Sequence, residues 1–177
     1  MFRPTLQAAR LLTLAAGVAV AEGIAKATGL ETELKWPNDV HCAGRKLAGI
    51  LAERGADHVV LGFGVNVLQA MYPAEVRSRA TSIELELGRP VDRALVLAEC
   101  LAALAARYRD LNDGREGAVM AAWRSRAASM LGRRVEWDVA GASQRGLAER
   151  VDEDGALLVR TESGLVRVIS GEVRWMP

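Results

Sequence analysis

The chain holds twenty-three basic residues, twenty arginines and only three lysines, and two of those three, Lys35 and Lys46, fall within one twelve-residue stretch. A protein that uses arginine almost everywhere keeps lysine where a compact, flexible ammonium serves better than a planar fork. Between the two runs Trp36-Pro37-Asn38-Asp39: an indole, a rigid ring, an amide and a carboxylate. Such a cation could offset charge on a reacting phosphate or carboxyl group, and such a carboxylate could orient an amine. An ordinary hairpin with a polar tip has the same composition. The second candidate is Gly62-Phe63-Gly64-Val65-Asn66. Two glycines on one face of a strand strip that face of side chains, and Asn66 follows on it by the period of two. The glycines could equally admit a packed neighbour.

The elements that position these residues follow from local chemistry. Pro37 fixes its own φ and drives Trp36 towards an extended conformation. Asn38 and Asp39 favour a turn. A strand therefore ends at Trp36, a tight turn presents Asn38 and Asp39, and a return strand begins near Arg45, with Gly49 at a point of close approach. Residues 58–67 read as a buried strand, nearly continuous in apolar residues. Residues 68–89 read as a connector with a turn at Tyr72-Pro73; Arg77 and Arg79 in it could face phosphates, but a solvated loop is the preferred reading. Asp92 caps a helix to about Leu111 with an apolar stripe of Leu97, Leu101, Leu104 and Tyr108, read as core. A shorter helix follows over 116–129. From Leu131 short alternating runs are punctuated by turn residues, Asp154-Gly155 among them, and about five strands in under fifty residues suggest a small barrel.

At the front, Arg3, Arg10 and the apolar run Leu11–Ala21 imitate a signal peptide. The run is too short to span a bilayer. The competing reading is a buried helix through about Lys26 stopped by Gly29. The composition is that of a globular protein: 50% hydrophobic, 25% charged, with a net charge of +1 that argues against a dedicated nucleic-acid surface. Cys42 and Cys100 have no metal-ligand spacing and read as reduced thiols.

Lys35-Trp36-Pro37-Asn38-Asp39 followed by Arg45-Lys46-Leu47-Ala48-Gly49-Ile50-Leu51 resembles the signature block of the biotin protein ligases. The Gly62-X-Gly64-X-Asn66 strand, the Ala80-Thr81-Ser82-Ile83 stretch and the strand-rich tail are similar to the same family, and the likeness runs the length of the chain. It implies an α/β (α+β) fold: a mixed-sheet catalytic portion over residues 1–129 and a small SH3-like β-barrel over residues 130–177. It implies an enzyme that joins biotin to AMP, with ATP and biotin as substrates and Mg²⁺, and passes the biotinoyl group to a lysine of a biotin carboxyl carrier protein domain. Lys46 matches the family's lysine on biotin and the acyl-phosphate. Asp39 matches the carboxylate that orients the amine and reaches Mg²⁺ through its waters, and no firmer metal ligand is implied. Asn66 matches the residue that contacts the adenylate, Gly64 belongs to its strand, and Asn38 and Lys35 support the site or face the phosphates. The family is cytoplasmic, so the resemblance implies a cytoplasmic chain, and because it continues through the first segment it favours the buried helix there over a signal peptide.

One departure shapes the expectation of activity. The family carries a Gly-Arg-Gly-Arg-X-X-Gly-Arg loop and a Ser/Thr-Asn biotin contact ahead of the position of the first helix. Neither pattern occurs in this sequence. The reading is an N-terminally truncated ligase that ligates biotin poorly or not at all on its own while binding ATP weakly. The alternative is a non-catalytic remnant for dimerisation or carrier binding. A homodimer through an exposed sheet edge is expected. No nucleic-acid partner is expected, because no helix-turn-helix pattern is present, and no membrane partner.

Overall fold

Residues 2, 4–68, 73–139, 141–171 and 173–176 are described by the structure, a computed structural model. Arg3, Tyr72 of the expected turn, Glu172 and the side chain of Arg77 lie outside the described residues.

Helix α1 (Leu6–Thr28) is the centre of the fold. Thr5 caps it, its hydroxyl oxygen accepting from the Ala8 N–H, and Gly29 closes it in the left-handed conformation at φ 78°. Its apolar residues lie all the way round, with Leu11, Leu12, Ala15, Val18, Ala19 and Ile24 buried. A helix apolar on every side has to be covered on every side. At 23 residues it is long and apolar enough to cross a bilayer, against the expectation drawn from the shorter run. Its composition has a different cause, since most of it is packed inside the protein.

Strands β1 (Glu33–Lys35), β2 (Asp39–Cys42), β3 (Arg45–Arg54) and β4 (Val59–Val65) form one sheet in that order, with antiparallel ladders throughout. A single bridge from Lys46 to Ala80 is the parallel contact among the described residues. Leu34, Val40, Leu47, Ala48 and Ile50 form the inner face, buried towards α1. The expected single hairpin is two. Asp39–Cys42 is itself a strand, and Ala43 and Gly44, at φ 49° and 74°, make a second turn before β3. Four residues flanked by turn chemistry at both ends hide a strand from pattern reading. Strand β4 is not buried on both faces as expected. It is an edge of the sheet, and Val60, Gly62 and Gly64 face outward and exposed.

The connector holds two short helices, α2 (Ala74–Arg77) and α3 (Ile83–Leu87), too short to leave a periodic signal. Helix α4 (Arg93–Asn112) starts where expected: the Asp92 carboxylate accepts from the Ala94 and Leu95 N–H groups. Its buried stripe is Val96, Cys100, Leu104 and Leu111: Leu104 is buried and Tyr108 packs partly buried against the core as expected, while Leu97 and Leu101 are half exposed and their places are taken by Val96 and Cys100. The cause is Gly23 of α1, which lets the Cys100 backbone press against α1 and turns that side of α4 inward. The Cys100 thiol donates towards the Val20 carbonyl, and burial pushes its pKa up to about 11. Helix α5 (Glu116–Arg126) adds Val119, Met120 and Trp123 to the core, and a 3-10 turn, Ala128–Met130, ends the helical portion.

Five further strands follow, as the alternation predicts: β5 (Arg134–Val139), β6 (Ala142–Val151), β7 (Leu157–Thr161), β8 (Gly164–Val168) and β9 (Val173–Trp175). They pair antiparallel in the order β8-β7-β6-β5-β9. No ladder joins β8 to β9 among the described residues, so this sheet does not close into a barrel.

A Cβ added at Gly23 would lie 2.5 Å from the Cys100 Cα and N atoms. Both are backbone and cannot swing away. Gly23→Ala is expected to lose about 1–3 kcal/mol of stability, the usual range for overpacking, and a lower midpoint in urea unfolding checks it.

Candidate functional site

Register assembles most of the site. Lys35 stands opposite Asp39, Asp39 opposite Gly49, and Gly49 opposite Gly64, so these four form one row across all four strands. Cross-strand partners share a face, and here it is the outer one, away from α1. Lys46 would not reach that face by simple alternation. Counted back from Gly49, a period of two puts Lys46 with buried Ala48. The ladder shifts at this point: Val40 pairs with Ala48, but His41 pairs with Lys46, which leaves Leu47 as an extra residue. Leu47 and Ala48 both turn inward, and Lys46 is thrown outward. This is a β-bulge re-aiming a side chain.

The Lys46 ammonium consequently lies 2.6 Å from Asp39 Oδ1 as an ion pair, with the lysine side chain 48% exposed and the aspartate 20%. Gly49 leaves room for it. A Cβ there would approach Lys46 Cε to 3.2 Å and Nζ to 3.3 Å. His41 Nε2 is 3.8 Å from the other Asp39 oxygen. Burial pushes the Asp39 pKa up, but His41 and Lys46 outweigh it and hold the carboxyl below its ordinary value.

The turn carrying these groups is pinned to β3. The Asn38 side-chain amide donates to the Ile50 carbonyl at 2.7 Å, and the Ile50 N–H donates back to the Asn38 carbonyl at 2.9 Å. A cis peptide bond joins Trp36 to Pro37 at its start. Asn66 lies just past β4. Its N–H donates to the Leu47 carbonyl, its amide nitrogen to the Thr81 carbonyl at 3.0 Å, and its own carbonyl accepts from the Ile83 N–H. Residues 79–81 run beside Lys46 where β4 has turned away: the Lys46 N–H donates to the Arg79 carbonyl, and the Thr81 N–H to the Lys46 carbonyl. Glu86 of α3 accepts from both the Arg45 guanidinium and the Thr81 hydroxyl, which anchors this segment.

Lys35, Asn38, Asp39 and Lys46 line one cleft of about 720 Å³. Gly64 shares their row but not the cleft wall, and Asn66 sits at the strand end with its amide nitrogen committed to Thr81. Nothing in the described structure lies within 4 Å of a Cβ placed at Gly62 or Gly64, so of the two readings of these glycines the packed neighbour is not found. Sequence reasoning missed His41, whose strand it did not recognise. It also missed Leu51, which is 61% exposed at the cleft, and the opposite wall, where Gly155, Ile169, Ser170 and Gly171 come from the C-terminal sheet. Asp154-Gly155 reads only as a hairpin turn, and no local signal says what the tip touches.

The sequence matches the Biotin/lipoate A/B protein ligase family over residues 3–66 and the Biotin protein ligase C terminal domain over residues 130–174. It is 34% identical to the biotin--[acetyl-CoA-carboxylase] ligase of Paracoccus denitrificans, over 94% of this chain and 73% of that protein. It is also 34% identical to the bifunctional ligase/repressor BirA of Bacillus subtilis, over 95% of this chain and 54% of that protein. The biotin protein ligase of Aquifex aeolicus in complex with biotin and ATP superposes with a TM-score of 0.84 at 29% identity, covering 99% of this chain and 73% of that one. The chain therefore belongs to the biotin protein ligase family. It spans about half the length of the first curated relatives it matches.

The depressed Asp39 pKa fixes the sign of a pH effect. A carboxylate lowered in the folded state adds stability that is complete above its unfolded value, about 3.9, and is lost as pH falls through the folded one. The stability gap between the wild type and Asp39→Asn is expected to be widest at neutral pH and to close below about pH 4, as read by urea unfolding at both ends.

Proposed function

We propose that this chain supplies the lysine–aspartate half of a biotin protein ligase site. Biotin and ATP first give biotinoyl-AMP, and the biotinoyl group then passes to a lysine of a biotin carboxyl carrier protein domain. The observation that carries the reading is the Lys46–Asp39 pair beside a bare glycine strip, with the ammonium half exposed. In the first step a biotin carboxylate oxygen attacks the α-phosphorus and pyrophosphate leaves. Two anions must meet, and the Lys46 ammonium offsets their repulsion and stabilises charge on the phosphoryl oxygens. At rest Asp39 holds that ammonium at the cleft, and its free side faces the incoming anion. In the second step the carrier amine attacks the acyl carbon and AMP leaves, and Asp39 orients the amine. Gly62 and Gly64 let a flat group lie against the backbone, and Asn66 holds the end of that strip.

Mg²⁺ belongs to this reading as a companion of the triphosphate. Among the described residues no group of three or more His, Cys, Asp or Glu side chains gathers, and Asp39 is already ion-paired. The donor set does not fit a metal held by the protein alone. The division into a catalytic portion, 1–129, and a C-terminal portion, 130–177, is part of the same proposal, supported by the change from helices to short strands after Met130.

The chain, biotin, ATP, Mg²⁺ and a carrier domain are incubated together and the carrier is probed with streptavidin. Label that falls about 100-fold or more in Lys46→Ala, with unchanged unfolding, is the expected result. Equal, measurable signal in the two proteins would sink the assignment of Lys46; where neither labels the carrier, as expected of a chain that ligates poorly on its own, ATP binding left unweakened in Lys46→Ala would sink it.

A further inference from the structure

The signature turn is held from two directions. Asn38 ties its far end to β3. Its near end, Trp36, is tied to the C-terminal sheet. The Trp36 indole N–H donates to the Gly155 carbonyl at 2.9 Å, and the Trp36 backbone N–H meets the Met130 sulfur at 3.1 Å. The indole is 2% exposed, so this hydrogen bond is shielded from water. Gly155 sits at the tip of the β6–β7 hairpin with φ +84°, and a Cβ there would lie 3.0 Å from a Leu14 methyl and 3.1 Å from a Leu11 methyl of α1. Only a residue without a side chain brings its carbonyl this close to Trp36.

The tip is braced on all sides. Asp152 Oδ1 accepts from the Asp154 and Ala156 N–H groups. Arg167 grips Asp152 at 2.6 Å and Asp154 at 2.9 Å. Arg10 of α1 reaches Asp154, and Arg124 of α5 reaches Glu153 and the Val151 carbonyl. A loop that only joined two strands would need none of the contacts to α1, α5 and Trp36.

We propose that Gly155 and Trp36 are positioning residues of the Lys46–Asp39 site: the C-terminal sheet, through its β6–β7 tip, fixes the turn that carries Asn38 and Asp39. The relevance to ligation rests on the function proposed above; the coupling of tip to turn stands on the contacts alone. With the Trp36 end released, the turn pivots on Asn38 and Asp39 drifts from Lys46, while the core that buries α1 keeps its packing.

Three variants test this. Trp36→Phe keeps an aromatic ring but removes the N–H together with part of the indole's volume. Gly155→Ala displaces the tip. Glu153→Gln removes only an exposed contact of the same tip and is the control. Amide hydrogen exchange at residues 38–42 is expected to quicken about 3- to 10-fold in Trp36→Phe, the scale of one hydrogen bond, and by more than exchange at α1 amides, which follows any global loss of stability. In carrier labelling, kcat should fall by a similar factor while KM for ATP holds. Unchanged turn exchange in Trp36→Phe, or an equal change in Glu153→Gln, overturns the proposal. So does a loosened turn with undiminished kcat. Trp36→Phe decides the matter even where Gly155→Ala does not fold. If the wild-type chain neither labels carrier nor binds ATP but the exchange result holds, the coupling stands and the ligase reading is what fails.

Discussion

The need to cover α1 on every side organises the molecule. A helix with no polar face has no surface it can leave in water, and each layer of the fold is placed by that demand. The sheet takes one side, α4 another, α5 a third, and the β6–β7 hairpin closes over Leu11 and Leu14. The last contact matters most for the site. By capping the first half of α1, the C-terminal sheet arrives beside Trp36 and becomes a wall of the cleft. Core packing and site construction are thus one problem with one solution.

Against that scaffold the proposed chemistry depends on a single irregularity. A regular ladder would have buried Lys46 among the residues that face α1, at a high desolvation cost for an unpaired ammonium. The extra residue Leu47 fills the core position instead and sends Lys46 to Asp39. The bulge costs some ladder regularity, and the carbonyl and N–H of Lys46 are satisfied by residues 79–81 rather than by β4. The connector that looks like an unstructured link is therefore the element that completes the sheet beside the lysine.

How much of this was legible in the sequence varies with the range of the forces involved. Caps were legible, because Asp92 and Gly29 act within one helical turn. The five C-terminal strands were legible, because alternation and Asp154-Gly155 are local. Lys46 and Asp39 were found by their types and by likeness to a family, but their pairing needed a bulge that no alternation rule foresees. The first half of the stripe on α4, Leu97 and Leu101, was misplaced by one residue because Gly23, seventy-seven positions before Cys100, chose which side turned in. Strand β2 escaped notice because its neighbours carry the turn chemistry. The second wall of the cleft was invisible, since it depends on which segments α1 brings together.

The close approach of α1 and α4 has a consequence for how the protein can be watched. Cys100 sits in the seam where Gly23 allows the two backbones to touch, and its thiol stays protonated far above neutral pH. Thiolate, not thiol, reacts with alkylating reagents. Cys42 is buried as well, its thiol raised by burial and by nearby Glu86. The chain thus carries two silent labels, one between the central helices and one beneath the sheet that bears the site. Their modification rates would follow the opening of those two seams separately, a gauge of local breathing already written into the native sequence.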